Sequence, residues 1–352
     1  MEAKIVAASG LTFAPISAGK FRRNHFDSGF AKIFNVNTLG PNARDTLKTV
    51  QGVGQALRIL RSFKPEVVFL KGGFVCLPVG IAAKMLSIPF VIHESDATPG
   101  LTNRILSRWA EKIAVGFPVK SYQTLDPQKL VYVGNPVRAD ILTGHRLEGI
   151  AHFNLDEKLP VVLITGGSQG AAQINNAVLD GLTELTSKYQ IIHQTGEGEI
   201  GRIMFELSRR KKESHIDRYH PYGFMLGNMG LALAAADLVV GRAGVNTIND
   251  SAVLGKPTIL VPNFEMAGHQ VENAKVLSRQ GAVRVLDGSR LTGARLCAEI
   301  DQVLGSEAEQ NRLSSGIKAF GRPQAAADLA KLVLQTGASS SSKQKPNTKD
   351  EG

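Results

Sequence analysis

The sequence predicts an α/β protein made of two doubly wound, Rossmann-like domains. The first observation is length, because 352 residues can bury two separate cores. The second is that short apolar, β-branched runs alternate with helical stretches of ten or more residues, and that this alternation runs twice. The third is that both faces of the runs are apolar, as in parallel strands covered by helices.

The predicted elements follow this alternation along the chain. In the first half, strands are predicted at 66–73, 90–95, 112–118 and 130–136. In the second half, strands are predicted at 160–170, 190–198, 236–244, 257–263 and 282–287. Long helices are predicted at 46–63 and 172–188, where apolar residues recur at helical spacing.

The predicted domain organisation has five parts. They are an N-terminal domain 1–142, a polar linker 143–159, a C-terminal domain 160–320, a helix 321–336 and a disordered tail 337–352. The tail is predicted to be disordered because it is rich in Ser, Lys and Pro and poor in apolar residues.

Composition excludes several classes of protein. Two cysteines cannot form a disulfide framework or a Cys-rich metal site, which fits a reducing compartment. No signal peptide and no run of eighteen apolar residues is visible. Up to Lys158 there are twenty Lys and Arg against twelve Asp and Glu, a net of +8 out of +10. Either this half has an anionic partner or it has a solvated basic surface; nucleic acid is not expected, because no aromatic platform or basic helix accompanies the charge.

Glycine-rich segments follow two of the predicted strands. Gly166-Gly167-Ser168-Gln169-Gly170 joins a strand to a helix, where free backbone N–H groups can bind a phosphate. A tight turn that needs glycine for positive φ is an equally good interpretation. The segment is neither the G-x-G-x-x-G fingerprint nor a Walker sequence.

The stretch 239–262 repeats this arrangement at a later strand. Backbone amides at 245–247 could hold a diphosphate, and Asp250, one turn into the helix, could accept hydrogen bonds from a ribose diol. A carboxylate near a helix start more often only complements the helix dipole. A third corner places His269, Gln270 and Asn273 at a helix start, where such residues usually cap.

These corners occur in an order that resembles the MurG family of peptidoglycan glycosyltransferases, which are two-domain enzymes of the GT-B architecture. The matching motifs of the second half are "GGSQGA", "HQTG", "ADLVVGRAG", "GKPTILVP" and "HQVENA". Those of the first half are "KGGF", "PFVIHES", "PGLTNRIL" and "GNPVR". The resemblance extends in colinear order from residue 1 to about residue 335.

The resemblance implies an inverting transfer of GlcNAc from UDP-GlcNAc to the muramoyl C4 hydroxyl of the undecaprenyl-linked precursor lipid I, giving lipid II. It implies no cofactor and no bound metal, and the sequence contains no D-x-D motif. Charge on the leaving UDP must then be stabilised by amides, helix N-termini and arginine. The family acts as a peripheral protein on the cytoplasmic face of the membrane, with which basic residues such as Lys71 and Arg104 are compatible.

The resemblance also assigns the residues that would bind UDP-GlcNAc. They are Asp96, Arg138, Ser168, Leu226, Val245, Asn246, Thr247, Ile248, Asn249, Asp250 and Gln270. Ser168 would lie near the diphosphate, Leu226 would offer its backbone to uracil, and Gln270 would contact the sugar hydroxyls. Arg138 would support the nucleotide.

Three departures from the family pattern matter. Asp250 stands in place of Glu, and Asp96 in place of the Asn of an H-E-Q-N element, where it could act on the acceptor hydroxyl as a base. The family's G-G-T-G-G-H loop, which carries a candidate catalytic His, is not in the sequence. We therefore expect that a first strand-loop-helix-strand unit of roughly forty residues is missing. Two other functions stay open: an inactive UDP-sugar-binding scaffold, and a GT-B transferase for another glycolipid.

Overall fold

A computed structural model describes residues 6, 9–20, 36–167, 170–210, 212–225, 227–263 and 268–343. These residues form two compact units. Unit 1 comprises the described residues within Met1–Ser95, Pro99–Tyr132 and Ala327–Gly352. Unit 2 comprises those within Asp96–Thr98 and Val133–Ala326.

Unit 1 is a four-stranded parallel sheet with helices, in the order β1-β2-β3-β4. Its strands are β1 Val68–Leu70, β2 Phe90–Glu94, β3 Lys112–Val115 and β4 Leu130–Tyr132. Its helices are α1 Val36–Phe63, α2 Cys76–Met85, α3 Leu101–Leu106 and, from Ala327 on, α14 Ala325–Lys343. Every residue of β2 is buried, as expected for a parallel strand with both faces covered.

Unit 2 is a six-stranded parallel sheet covered by helices. Its strands are β5 Val161–Thr165, β6 Gln190–Gln194, β7 Tyr219–Tyr222, β8 Leu238–Gly241, β9 Thr258–Leu260 and β10 Arg284–Val285. Its helices are α4 Ala139–Thr143, α5 Arg146–His152, α6 Ala172–Asp180, α7 Leu182–Lys188, α8 Ile200–Arg209, α9 Met229–Ala235, α10 Val245–Leu254, α11 His269–Ser278, α12 Gly293–Leu304 and α13 Glu307–Lys318.

The strand order of unit 2 is β10-β9-β8-β5-β6-β7, which is the doubly wound order of a Rossmann sheet. The order in which successive strands join the sheet reverses at β5, because β6 and β7 lie on one side of β5 whereas β8, β9 and β10 lie on the other. Ligands of such sheets bind outside the carboxyl ends of the strands at this switch point. The register aligns those ends, since Thr165 pairs with both Gln194 and Gly241.

Side-chain alternation divides the core of unit 2 into two clusters. Ile191 of β6 lies in a cluster that includes Ile164 and Val240. Ile192, the next residue, lies in a cluster that includes Leu163 and Val239. The sheet therefore has an apolar layer on each face, as the sequence predicts.

The structure divides the chain at Tyr132 and Val133 rather than at residue 142, and the predicted linker 143–159 contains helix α5. Ile150 and Phe153 of this segment are buried in the same cluster as Leu163, so the segment is part of the core of unit 2. Its polar composition concealed these two anchor residues.

Two helices also differ from their predicted extents. The predicted helix 172–188 is two helices, because Gly181 ends α6; a Cβ there would lie 2.8 Å from the Cys297 sulfur. The predicted C-terminal helix 321–336 is α14, which runs on to Lys343 through the first part of the predicted disordered tail. Gly337 packs against Val67, which holds this last stretch on unit 1. Residues 344–352 lie outside the described residues.

One strand was not predicted. β7, with the sequence Tyr-His-Pro-Tyr, lacks the β-branched run that marks the other strands and contains Pro221. It lies at the edge of the sheet, where proline is tolerated because the outer side needs no backbone donor. Within the described residues, no helix is both long and apolar enough to span a membrane.

Candidate functional site

A cavity of about 210 Å³ opens at the carboxyl ends of β5, β6 and β8 in unit 2. Its lining residues are Arg138, Leu163, Thr165, Gly167, Gln194, Phe224, Met225, Met229, Leu233, Val239, Asn246, Thr247 and Asp250. One wall is apolar and continues the core cluster on that face of the sheet. The other wall is polar and comes from α10 and from the loop after β5.

The polar wall includes the start of α10 and the glycine loop that leads into α6, and neither helix start has a side-chain cap. Neither Ala171 before α6 nor Gly244 before α10 provides a capping side chain, whereas Thr292 and Ser306 cap α12 and α13. Neither α6 nor α10 has an acidic residue in its first turn. The N-terminal N–H groups of both helices, and their partial positive charge, are thus available to an anion.

The glycine loop before α6 requires glycine for steric reasons. Gly167 and Gly170 have φ of +80° and +76°, which L side chains rarely adopt. A Cβ on Gly170 would lie 2.2 Å from the carbonyl oxygen of Thr195, in the loop after β6. The turn interpretation of these glycines is therefore correct, and it leaves room for an anion beside Gly167.

Asp250 lines the cavity one turn into α10. Burial raises the pKa of its carboxyl to about 6, while the guanidinium of Arg138 lowers it and the carboxylate of Asp140 raises it. Arg138 itself donates two hydrogen bonds to Asp140, of 3.1 and 3.2 Å. The cavity thus places a carboxyl group with a raised pKa close to a partly exposed guanidinium.

The two residues before Asp250 face away from the cavity. Ile248 and Asn249 are buried, and the Asn249 amide donates to the carbonyl oxygen of Asn135 at 2.9 Å. This bond ties α10 to the segment that leads into Arg138. Asn249 therefore positions the cavity wall and does not line it.

A buried polar network underlies the loops on the opposite face of β6. The Asn175 amide donates to the Thr195 carbonyl at 3.0 Å, which turns its oxygen towards Nε2 of His193 at 3.2 Å. Nδ1 of His193 lies 2.7 Å from the Tyr219 hydroxyl. Since burial lowers the pKa of His193 to about 3, the ring is neutral, donates to Asn175 and accepts from Tyr219.

Asp96, grouped with unit 2, accepts a hydrogen bond of 2.8 Å from the amide of Asn273 on α11. Its second oxygen lies 3.9 Å from Nδ1 of His269. Gln270 accepts from the backbone N–H of Asn263 at 3.1 Å. Neither Asp96 nor Gln270 lines the cavity.

Unit 1 has its own polar cluster where β1 and β2 end. The Lys71 ammonium donates to the Ser95 hydroxyl at 2.8 Å and lies 3.3 Å from Nδ1 of His93. Glu94 instead accepts from Gly100 N–H and from the Asn103 amide, both at 2.9 Å. Lys71 is therefore held against two polar side chains.

Of the residues assigned by resemblance, the cavity gathers Arg138, Asn246, Thr247 and Asp250. Ser168 and Leu226 lie outside the described residues, and Val245 begins α10 without lining the cavity. Among the described residues, no group of three His, Cys, Asp or Glu side chains could hold a metal ion.

Sequence reasoning missed three lining residues, namely Gln194, which ends β6, and Phe224 and Met225, which follow β7. For Gln194 a signal was available: "HQTG" was one of the matching motifs, and its glutamine ends a predicted strand. Phe224 and Met225 could not be found in this way, because β7 was not predicted.

The chain is similar to known proteins over most of its length. The sequence pattern of the glycosyltransferase family 28 N-terminal domain matches residues 1–115, and that of the family 28 C-terminal domain matches residues 161–333. A Bacillus cereus protein named UDP-N-acetylglucosamine–N-acetylmuramyl-(pentapeptide) pyrophosphoryl-undecaprenol N-acetylglucosamine transferase 2 is 36% identical over 305 residues, 86% of this chain and 80% of that protein. A Bacillus pumilus protein of the same name, without the final numeral, is 35% identical over 338 residues, 95% of this chain and 88% of that protein. The crystal structure of Acinetobacter baumannii MurG matches with a TM-score of 0.69 at 23% identity, covering 95% of this chain and 88% of that one.

Proposed function

The chain belongs to the MurG family of glycosyltransferases, within family 28, and on that premise we propose that it transfers GlcNAc from UDP-GlcNAc to lipid I, giving lipid II. The acceptor group is the muramoyl C4 hydroxyl of the undecaprenyl-linked precursor. The observation that carries the proposal beyond family membership is the cavity at the switch point of unit 2, where an apolar wall faces the uncapped start of α10 and the glycine loop that leads into α6.

The chemistry of the cavity suits a nucleoside diphosphate sugar. The apolar wall, with Phe224 and Met225, offers contact area to a planar base. Asp250 can accept hydrogen bonds from a ribose diol, and the N–H groups at the starts of α6 and α10 can bind the diphosphate. We assign the donor to this cavity, with Arg138 beside the nucleotide.

The transfer forms one bond and breaks another. The acceptor oxygen bonds to the anomeric carbon of GlcNAc on the face opposite UDP, and the bond from that carbon to the β-phosphate oxygen breaks with its electron pair. The acceptor proton passes to a base, and UDP leaves. Amide N–H groups aimed at the diphosphate stabilise its growing charge in the transition state.

Asp96 is our candidate for that base. Its carboxylate is anchored through one oxygen by Asn273, and its second oxygen lies 3.9 Å from Nδ1 of His269. A carboxylate held in place by a neighbouring amide can take a proton from a hydroxyl. An alternative is that Asp96 only orients α11 through Asn273.

The test is transfer of labelled GlcNAc from UDP-GlcNAc to a lipid I analogue, with release of UDP followed in parallel. We expect a labelled disaccharide product and one UDP for each transfer. UDP-glucose is the control donor and should transfer much less well. Binding of UDP-GlcNAc without transfer to the analogue would contradict the proposed reaction and favour a scaffold or another glycolipid acceptor.

We also propose that unit 1 attaches the protein to the surface of the membrane that holds the acceptor. Leu47 and Val50 of α1 are 76% and 66% exposed and lie beside Arg44 and Lys48, with which they line one shallow groove. Exposed apolar side chains flanked by basic ones suit an anionic lipid surface, where insertion and charge attraction add.

Vesicle sedimentation tests this attachment. Leu47→Ser/Val50→Ser should reduce binding to vesicles that contain phosphatidylglycerol, while transfer to a water-soluble acceptor analogue is kept. Met204→Ser/Phe205→Ser is the matched control, because these residues of α8 are 52% and 62% exposed in unit 2. Equal losses in the two double variants would mean that any exposed apolar pair contributes, and that α1 is not the attachment site.

A further inference from the structure

Thr195, the residue that follows β6, connects the loops on either side of that strand, and it is fully buried. Its backbone N–H and its hydroxyl both donate to the carbonyl oxygen of Tyr222 at the end of β7, at 2.8 and 3.1 Å. Its own carbonyl oxygen accepts from the Asn175 amide of α6 at 3.0 Å, and it lies so close to Gly170 that no side chain would fit there. Thr195 is thus bonded to β7 on one side and packed against the glycine loop on the other.

The two loops that Thr195 connects line different parts of the cavity. Gly167, in the glycine loop, lies on the polar wall, whereas Phe224 and Met225, which follow β7, lie on the apolar wall. β6 lies between β5 and β7 in the sheet, so the residue after β6 stands between the two loops. A shift of Thr195 would therefore change the distance between the polar and the apolar wall.

Asn175 can bond to Thr195 with only one orientation of its amide. The amide nitrogen must face the Thr195 carbonyl, which leaves the amide oxygen facing Nε2 of His193 at 3.2 Å. A reversed amide would bring two carbonyl oxygens together at Thr195, and neither oxygen can donate. The orientation is therefore fixed if His193 donates from Nε2.

The surroundings of His193 keep its proton on Nε2. The Tyr219 hydroxyl lies 2.7 Å from Nδ1 and donates to it. Burial lowers the pKa of His193 to about 3, so the ring carries a single proton at neutral pH. Strand alternation places His193 on the same face of β6 as Ile191, which is the face opposite to the cavity. His193 can therefore act on a ligand only through other residues.

We infer that His193 is a positioning residue: through Asn175 and Thr195 it sets the spacing between the part of the cavity that takes the diphosphate and the part that takes the base. This inference rests on the proposed function, since it takes the cavity to be the UDP-GlcNAc site. A nucleoside diphosphate reaches both walls at once, so it binds tightly only where their spacing is already correct. Either half of that ligand alone contacts one wall and does not depend on the spacing.

The experiment compares His193→Leu with Gln190→Met in the full chain. Gln190 is the matched control, because it is a buried polar residue of the same strand whose amide bonds to the backbone of Asp156, away from the cavity. Both variants leave a buried group without its partner, so both melting temperatures should fall. Dissociation constants are then measured for UDP, uridine and inorganic pyrophosphate, at a temperature at which both variants are folded.

We expect a selective loss of affinity for the ligand that reaches both walls. His193→Leu should weaken UDP by about 10- to 100-fold and should change uridine and pyrophosphate by less than about threefold. Gln190→Met should change all three by less than about threefold. His193→Gln, whose amide can donate to Asn175, should recover most of the affinity for UDP.

Transfer of GlcNAc to a lipid I analogue gives a second measurement. In His193→Leu the value of kcat should fall as well, because the N–H groups of the glycine loop no longer meet the leaving diphosphate. The pH dependence of kcat should keep its shape, because a neutral, buried His193 exchanges no proton with the reactants.

Three results would overturn the inference while leaving the proposed function in place. They are equal losses of affinity for UDP, uridine and pyrophosphate in His193→Leu, unchanged affinity for UDP, and a changed pH profile of kcat. If His193→Leu does not fold, Asn175→Ser replaces it: this variant removes the amide that bonds to Thr195, and it must show the same selective loss of UDP. Failure of the wild-type protein to bind UDP at all would instead overturn the proposed function, and the inference with it.

Discussion

At the scale of single residues, the cavity contains polar groups whose burial costs free energy in the folded protein. Asp250 is the clearest case, since burial raises the pKa of its carboxyl to about 6 against an ordinary value of 3.8. The folded chain therefore holds this proton to higher pH than the unfolded chain does. The contribution of this pKa difference to the free energy of unfolding is fully present below the pKa of the unfolded chain, and it is lost as pH rises through the pKa of the folded chain.

Asp250→Asn should accordingly stabilise the protein at neutral pH. The free energy of unfolding at pH 7.5 should rise by about 1–3 kcal/mol, and the gain should shrink as pH falls from 6 towards 4. Chemical denaturation across this pH range measures it, with the exposed Asp217→Asn as control. Affinity for UDP-GlcNAc should fall in the same variant, because the ribose loses an anionic acceptor. A loss of stability at pH 7.5 would contradict this account of Asp250.

Asp96→Asn separates the two roles that Asp96 could have. If the carboxylate is the base, kcat should fall by roughly 10²- to 10⁴-fold with little change in the KM for UDP-GlcNAc. An amide oxygen can still accept from Asn273, so a purely orienting role should survive the change. Asn273→Ala is the companion variant, since it removes the anchor and keeps the carboxylate. Steady-state kinetics that are normal in Asp96→Asn would remove Asp96 as the base.

At the scale of elements, the loops between strands and helices determine the shape of the cavity. The loop after β5 and the loop after β6 touch at one point, where Gly170 lies against the carbonyl oxygen of Thr195. Beneath the second loop, Asn175 of α6 donates to that same carbonyl, and His193 of β6 holds the Asn175 amide in place. The glycine loop is therefore positioned by its neighbour as much as by its own sequence.

Gly170→Ala should displace this loop. The new Cβ would lie 2.2 Å from the Thr195 oxygen at a φ of +76°, so we expect a loss of about 1–3 kcal/mol and at least tenfold weaker binding of UDP. Gly198→Ala, in the loop after β6, meets no atom within 4 Å and should change stability by no more than about 0.5 kcal/mol. Calorimetry of the two variants, with and without UDP, makes the comparison. Equal effects would show that the contact with Thr195 does not matter.

The elements themselves were largely predictable. Nine strands were expected from apolar β-branched runs, and each of those runs contains one of the observed strands. β7 was missed because its residues carry no such pattern and an edge position permits Pro221. Helix α5 was missed because it is short and polar, and a single apolar pair at helical spacing, Ile150 and the C-cap Phe153, is too brief a pattern to predict a helix.

At the scale of the whole molecule, donor and membrane are assigned to different units. The donor cavity is lined only by residues of unit 2, whereas the apolar and basic groove on α1 belongs to unit 1. The sequence carries a net charge of +8 before residue 159, which agrees with an anionic surface as the partner of the first half.

Hydrogen exchange followed by mass spectrometry should resolve two footprints. UDP should give its strongest protection in peptides from the loop after β5 and from the first turn of α10, because those N–H groups would bind phosphate. Vesicles containing phosphatidylglycerol should protect peptides from α1. Vesicles of phosphatidylcholine alone are the control for the second footprint. Strongest protection of α1 by UDP would contradict the assignment of the donor to unit 2.

The sequence by itself determined the fold class, the family and the corners at which a ligand could bind. It could do so because strand and helix periodicities are local, and because glycine and polar residues at strand ends are visible without knowing which strands are neighbours. Arg138, Asn246, Thr247 and Asp250 were all named from the sequence, and all four line the cavity.

Only the tertiary structure decided which candidates face the cavity and which support it. Ile248 and Asn249 lie in the same run as Asp250, yet helix geometry turns them towards the core and towards Asn135. Gln190 and Gln194 are chemically identical and four residues apart on one face of β6, yet only Gln194 lacks a partner for its oxygen among the described residues. Partners of this kind lie tens of residues away along the chain, so the state of a buried polar group depends on strand order and register, which no local pattern contains.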